Sequence, residues 1–163
     1  MSGRGVDAAH FRDLLGRFVT GVTVLTTRDP NGRPIGMTAS SVASVSLDAP
    51  QLLVCVDRGH EMHAAMVAAR HFALSVLAAD QEALSRRFAA DAGEGDRFDG
   101  AAYRESEQGL PVLDGVLAHI KCEKINAVPA GDHTVFIGLV VGGSVTERRP
   151  LLYYRGGYAG LGG

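Results

Sequence analysis

The segment Gly36-Met37-Thr38-Ala39-Ser40-Ser41-Val42-Ala43-Ser44-Val45-Ser46 brings hydroxyls and small side chains together: six of its eleven residues are Ser, Thr or Gly. Small residues let a flat ligand come close to the backbone, where hydroxyls and free N–H groups can bond its polar edge. The turn Leu47-Asp48-Ala49-Pro50 closes the segment, and the apolar run Leu52-Leu53-Val54-Cys55-Val56 follows and stops at Asp57. A polar strand of small residues beside a buried apolar one describes a binding surface on a β scaffold. It equally describes a Ser/Thr-rich edge strand facing water, and the segment alone does not separate the two.

Other residues could share such a site. His133 follows the turn Ala130-Gly131-Asp132 and opens an apolar strand, which puts a polar ring at the rim of a sheet. The same place suits a histidine that only bonds Asp132. Arg86 and Arg87 precede Phe88 on a predicted helix. Either could hold a phosphate with its fork of donors, and each also suits a solvated helix face. Tyr153, Tyr154, Arg155 and Tyr158 can stack on an aromatic ring or a nucleotide, or bury a dimer contact. His60 and His63 lack a third metal ligand nearby and read as surface or interface residues. Cys55 and Cys122 each lie in an apolar run, as reduced, inert thiols do. No Gly-x-Ser-x-Gly elbow surrounds Ser40 or Ser41, no Walker loop is present, and no Gly-x-Gly-x-x-Gly opens a helix after a strand. Covalent catalysis and a Rossmann-type nucleotide site are not expected.

The elements that must carry these residues follow from their patterns. Asp7 predicts a helix cap, with Phe11, Leu14, Leu15 and Phe18 as one apolar stripe. Val22 to Thr27 predicts a strand, closed by a hairpin loop around Asn31-Gly32. His60 to Arg70 reads as a helix, His71 to Leu77 as a strand, and Asp80 as the cap of a helix running to Ala90. The pattern is lost from Asp91 to Gly115, a length of loop that is usually functional or mobile. Val116 to Cys122 predicts a strand, Asn126 to Asp132 a turn, His133 to Val145 a long strand, and Leu151 to Tyr154 a short one. Gly156 to Gly163 reads as a frayed tail. Six or seven hairpin-connected strands with two or three helices predict an antiparallel barrel with helices at its ends.

The chain has 163 residues, 46% hydrophobic and 21% charged, with a formal net charge of −2. That suits one globular domain and gives no electrostatic footprint for nucleic acid or an anionic membrane. No segment reaches the length of a membrane span and no signal peptide is visible, so a cytoplasmic location is expected.

Taken in order, several pieces resemble the short-chain flavin reductase family, the reductase components of two-component flavin-dependent monooxygenases. They are Phe18-Val19-Thr20-Gly21-Val22-Thr23-Val24-Leu25-Thr26, Gly36 to Ser41 with Ser44-Val45-Ser46, Pro50 through Asp57, Phe72 to Leu77, Arg86-Arg87-Phe88-Ala89, Gly131-Asp132-His133 and Tyr154-Arg155-Gly156-Gly157-Tyr158. The resemblance runs from about Phe11 to Tyr158. It implies a flavin-binding split β-barrel over residues 7–160, with flexible termini at 1–6 and 161–163, working as a homodimer with flavin near the interface. It implies that Met37, Thr38, Ala39, Ser40 and Ser41 wrap the isoalloxazine, and that Cys55, Val56 and Asp57 contact the ring and ribityl chain. It places Arg86 or Arg87, beside Phe88, near the phosphate. His133 would touch the nicotinamide, and Tyr154, Arg155 and Tyr158 would line the NADH side. The implied activity is hydride transfer from NADH, or NADPH, to FMN or FAD, with reduced flavin passed to an oxygenase partner. Relatives often carry Ser and Thr after the Asp57 position. Here Arg58-Gly59-His60-Glu61-Met62 stands there, which leaves FMN and FAD both open. A non-catalytic flavin carrier or sensor of the same barrel is the alternative, and a pyridoxamine phosphate oxidase-like protein would need more basic residues near the flavin.

Overall fold

The computed structural model describes residues 4–91, 93 and 95–162. In chain order the elements are α1 (Ala8–Leu15), β1 (Thr20–Gly21), β2 (Thr23–Arg28), β3 (Pro34–Ala39), β4 (Val42–Leu47), β5 (Pro50–Asp57), α2 (Glu61–Ala68) and β6 (His71–Val76). There follow α3 (Glu82–Ala89), β7 (Tyr103–Glu105), β8 (Pro111–Leu113), β9 (Ala118–Ala130), β10 (His133–Val145), β11 (Leu152–Tyr154) and β12 (Gly157–Ala159). The protein is mainly β with three helices among the described residues, and its sheets are antiparallel.

Seven strands form the main sheet in the order β3-β2-β6-β9-β10-β5-β4. Its two edges, β3 and β4, are consecutive in the chain and separated only by Ser40 and Ser41. So short a connection forces the sheet to curl until its edges meet at that point. No ladder joins β3 to β4 among the described residues, so the expected barrel is not closed by hydrogen bonds there. A second sheet, β1-β11-β12, carries the C-terminal segment.

Alternation places the core. Leu52, Val54 and Val56 of β5 and Phe136 of β10 turn inward onto Phe72, Met62 and Met66, all buried. Gly138 is required there: a Cβ would lie 2.6 Å from the Phe72 ring and 2.8 Å from Cys122 Cβ. A second core packs Val22, Val24, Leu77, Phe88, Phe98 and Leu113 together.

Several expectations hold and several are corrected. Asp7 caps α1 by accepting from His10 N at 2.8 Å. The hairpin after β2 forms around Asn31-Gly32, with Asp29 Oδ1 accepting from Asn31 N and Arg33 N and Gly32 at φ +81°. The same two N–H groups, Arg33's first, hold the Asp29 carboxyl below its ordinary range. The α1 stripe is present but unpacked: no α1 residue is buried, and Phe18 is 74% exposed. Asp80 does not cap α3. Gln81 occupies that place without a side-chain cap, its amide accepting from Ala78 N and donating to Asp114 O instead. Asn126 to Ala130 continues β9 rather than turning, because β10 pairs with it back to Ala130; the turn is Gly131-Asp132 alone. The stretch from Asp91 to Gly115 contains the β7–β8 hairpin, tied in by Thr26 Oγ1 donating to Pro111 O. Gly157 to Ala159 is β12, not a frayed tail, since it pairs with β11. Of the termini expected to be flexible, residues 1–3 and 163 lie outside the described residues.

Candidate functional site

The site begins at the two sheet edges. An edge strand keeps one row of backbone N–H and C=O groups unpaired, and β3 and β4 are both edges. Between them Ser40 and Ser41 are exposed, Met37 and Thr38 half-buried, and Ala39 buried. Thr23 Oγ1 donates to Ala39 O at 2.6 Å, which pins the end of β3. Ser41 is held against β5, since Cys55 N donates to Ser41 O at 3.2 Å and Ser41 Oγ donates to Cys55 O at 3.3 Å. The segment is therefore positioned on both sides, with the Thr38 and Ser41 hydroxyls used to hold it and Ser40 left exposed between them.

The register of β5 against β10 sets Asp57 opposite His133. His133 Nδ1 is 2.7 Å from Asp132 Oδ1, so Nε2 is left as the outward ring nitrogen. That hydrogen bond is the main reason the Asp132 carboxyl lies below its ordinary range. Asp57 Oδ1 accepts from Gly59 N at 2.6 Å. Ligand atoms of Asp57, Asp132 and His133 lie within 4.8 Å of one another, close enough to share a cation, but both carboxylates are exposed and already accept hydrogen bonds.

A second group converges from α3 and the C-terminal hairpin. Thr38 Oγ1 donates to Ser85 O at 2.6 Å, and Ser85 Oγ is 2.8 Å from Tyr158 Oη. The Arg86 guanidinium lies 4.9 Å from the Tyr158 ring centre, while Glu82 Oε1 accepts from its Nε and Nη2. The bond to Glu82 is the main cause of Arg86's raised pKa. Tyr153 meets Tyr158 edge to face at 5.4 Å.

The predicted residues are not all brought together. Thr38, Arg86 and Tyr158 meet around Ser85, while Met37 packs on the first core; Ser41, Cys55, Asp57 and His133 form another group, joined to Thr38 through Ala39-Ser40. Phe88 is 1% exposed and packs on Phe98 at 5.0 Å, so it supports β3 from behind. Val56 is fully buried and offers only backbone. Arg87 turns away to donate to Asp99 O. Tyr154 is exposed at the end of the hairpin, and Arg155, at φ +51°, donates its N–H to Gly16 O beside α1.

Arg97 was not singled out by the sequence, because it falls where periodicity is lost. Its side chain is 10% exposed, pairs with Glu61 at 2.6 Å and donates to Gly36 O and Ala90 O. It lines an open cleft of about 320 Å³ with Arg33, Gly36, Glu61 and Phe98. His60 caps α2 through Nδ1, which accepts from Met62 N at 3.0 Å. Burial, and then Arg97, lower its pKa. His63 Nε2 lies 2.8 Å from Thr134 Oγ1, a structural contact.

The sequence matches the family described as Flavin reductase like domain over residues 15–162. The chain belongs to this family. Among its relatives, the FMN reductase (NADH) SmoA of Agrobacterium fabrum is 42% identical over 154 residues, covering 94% of this chain and 86% of that one. The flavin-dependent monooxygenase reductase subunit HsaB of Rhodococcus jostii is 39% identical over 162 residues, covering 99% and 82%. The solved structure of the NADH:FAD oxidoreductase SgcE6 of Streptomyces globisporus superposes with a TM-score of 0.89 at 36% identity, covering 96% of each chain. In this flavin reductase-like chain, the open edges at Thr38 to Ser41 and the rim histidine therefore lie within the matched region rather than in an added segment.

Proposed function

We propose that this protein is an NAD(P)H:flavin oxidoreductase, preferring NADH, that reduces FMN or FAD and supplies it to a partner flavin-dependent monooxygenase. The observation that carries the reading is the match to NADH-dependent flavin reductases along nearly the whole chain. The donor set at the site fits a flavin: unpaired backbone groups on two sheet edges, flanked by small residues, suit the alternating donors and acceptors of the isoalloxazine edge. Bound flavin supplies the hydride acceptor, and reduced nicotinamide the hydride.

The chain's own residues do the rest. Met37 to Ser41 present backbone N–H groups where negative charge collects on the reduced ring. Cys55, Val56 and Asp57 border the ring and ribityl chain. His133, held by Asp132, directs Nε2 at the nicotinamide. Tyr154, Arg155 and Tyr158 line the dinucleotide, and Arg86, rather than the turned-away Arg87, stands on the phosphate side, with Phe88 packing beneath. Holding both rings in stacking geometry contributes roughly 7–11 kcal/mol toward the barrier.

The same reading includes a split barrel over residues 7–160, working as a cytoplasmic homodimer. Phe11, Leu14, Leu15 and Phe18, each more than half exposed, supply an apolar face for a second copy. Two free cysteines accord with a reducing compartment, and no helix among the described residues is long and apolar enough to cross a membrane.

The test is NADH oxidation followed by absorbance with FMN, FAD or riboflavin added in turn. Flavin-dependent turnover is expected. No turnover with any flavin, using NADH and NADPH, would overturn the reading and leave a flavin carrier.

A further inference from the structure

Ser85 is fully buried on α3 and bonds in two directions. Its carbonyl accepts from Thr38 Oγ1 of β3 at 2.6 Å, and its hydroxyl pairs with Tyr158 Oη of β12 at 2.8 Å. β3 belongs to the seven-stranded sheet and β12 to the three-stranded one, and no ladder joins the two sheets among the described residues. Other backbone bonds between them, such as Leu151 N to Leu77 O, lie at the opposite end of β11 from Tyr154. Near Tyr158, the polar contacts across the gap are the Ser85 hydroxyl and the Arg86 guanidinium over the ring, alongside the packing of Tyr158 on the second core.

Local preference does not account for a serine here. In a helix interior Ser is intrinsically worse than Ala, and a buried hydroxyl must find a partner. Ser85 finds that partner 73 residues away.

From this geometry we infer that Ser85 is a positioning residue: it ties the strand carrying Thr38 to the hairpin carrying Tyr158, and so sets the spacing between the flavin side and the nicotinamide side of the site. The inference rests on the proposed reading that these two segments face flavin and NADH. Ser85 touches neither cofactor. It acts through Thr38, whose hydroxyl is fixed by a helix carbonyl, and through Tyr158, whose ring is held at its hydroxyl by Ser85 and on its face by Arg86. Small displacements matter because stacking geometry governs hydride transfer, and a shift of about 1 Å can cost about 100-fold in rate.

The test compares Ser85→Ala, Tyr158→Phe and the double variant in the full-length protein with flavin present. Each is measured for thermal midpoint, flavin affinity by fluorescence titration, kcat and KM for NADH, and the isotope effect with NADH deuterated at C4. Ser85→Ala keeps the helix backbone and its carbonyl, so folding and flavin affinity are expected to stay within about 2-fold of the parent, with kcat/KM for NADH down about 10-fold and the isotope effect raised. The double variant should be no worse than either single one, because both remove the same bond. A rate loss that only tracks a lowered thermal midpoint, or additive losses in the double variant, would overturn the tether. If Tyr158→Phe impairs NADH use while Ser85→Ala does not, the tether fails and the site reading stands. If neither changes NADH kinetics, the tether fails and so does the placing of the hairpin at the nicotinamide.

Discussion

Gly36 lies against Phe88 so closely that a Cβ on Gly36 would stand 2.9 Å from Phe88 Cε1 and 3.0 Å from Cδ1. The ring cannot move aside, because it is buried edge-on against Phe98. Gly36 also opens the Thr38 to Ser41 segment, so this contact sets how deeply that segment sits on α3. Gly36→Ala should destabilise the fold by about 1–3 kcal/mol through overpacking, and Phe88→Ala by about 3–5 kcal/mol through a cavity. Denaturant unfolding checks both. Weakened flavin binding is expected in Gly36→Ala even where the protein remains folded.

His133 is expected to serve NADH rather than flavin. His133→Ala should lower kcat/KM for NADH about 10- to 100-fold through lost positioning, with flavin affinity nearly unchanged. Asp132→Asn should give a milder loss, since it removes the carboxylate that orients Nδ1. Steady-state kinetics together with a flavin titration separate the two effects.

Stability should fall as pH drops from 7 to 5. His60 titrates below its ordinary value of 6.5 in the folded protein, because burial and the facing Arg97 outweigh Glu61 and Asp57. Below 6.5 the unfolded chain takes up the proton before the folded one, so stability declines with acid and is independent of this group above that pH. His119, lowered by burial, Arg104 and Lys121, acts in the same direction. His60→Asn keeps an acceptor for Met62 N–H and loses the titration, so its thermal midpoint should fall less steeply over this range. An unchanged slope would rule His60 out as the source.

The two thiols should differ. Cys122 is fully buried, and burial pushes its pKa up to about 12. A thiol reagent at pH 8 is expected to label it only after unfolding, while the half-buried Cys55 reacts in the native state. Bound flavin should slow Cys55 labelling, a readout independent of turnover.

The α1 stripe tests the homodimer. Leu14→Glu or Phe18→Asp places a charge in a face that is unpacked within one chain. Size-exclusion chromatography with light scattering should show a shift from dimer to monomer. A dimer that survives both substitutions would place the interface elsewhere.

Much of this protein was legible one segment at a time. The α1 cap at Asp7, the Asp29 to Arg33 hairpin, the apolar runs of β5 and β10, and the small-residue run at Thr38 to Ser41 all rest on chemistry within a few residues. The order of the family's pieces reached the reductase reading from there. What stayed hidden depends on partners far along the chain. Asn126 to Ala130 looks like a turn locally, yet β10 holds it as strand. Asp80 looks like a cap, yet the Gln81 amide is drawn off to Ala78 and Asp114. Arg97 is one charge in a patternless stretch until Glu61, Gly36 and Ala90 surround it.

The sequence by itself determined the helices, most strands of the main sheet and which residues are small, polar and able to meet a flat ligand, because backbone preference and side-chain periodicity act locally. Only the tertiary structure decided that Thr38, 47 residues from Ser85, and Tyr158, 73 residues from it, meet on that one residue. Such meetings follow from strand register and the closing of long loops, where a shift of one residue turns each side chain to the other face.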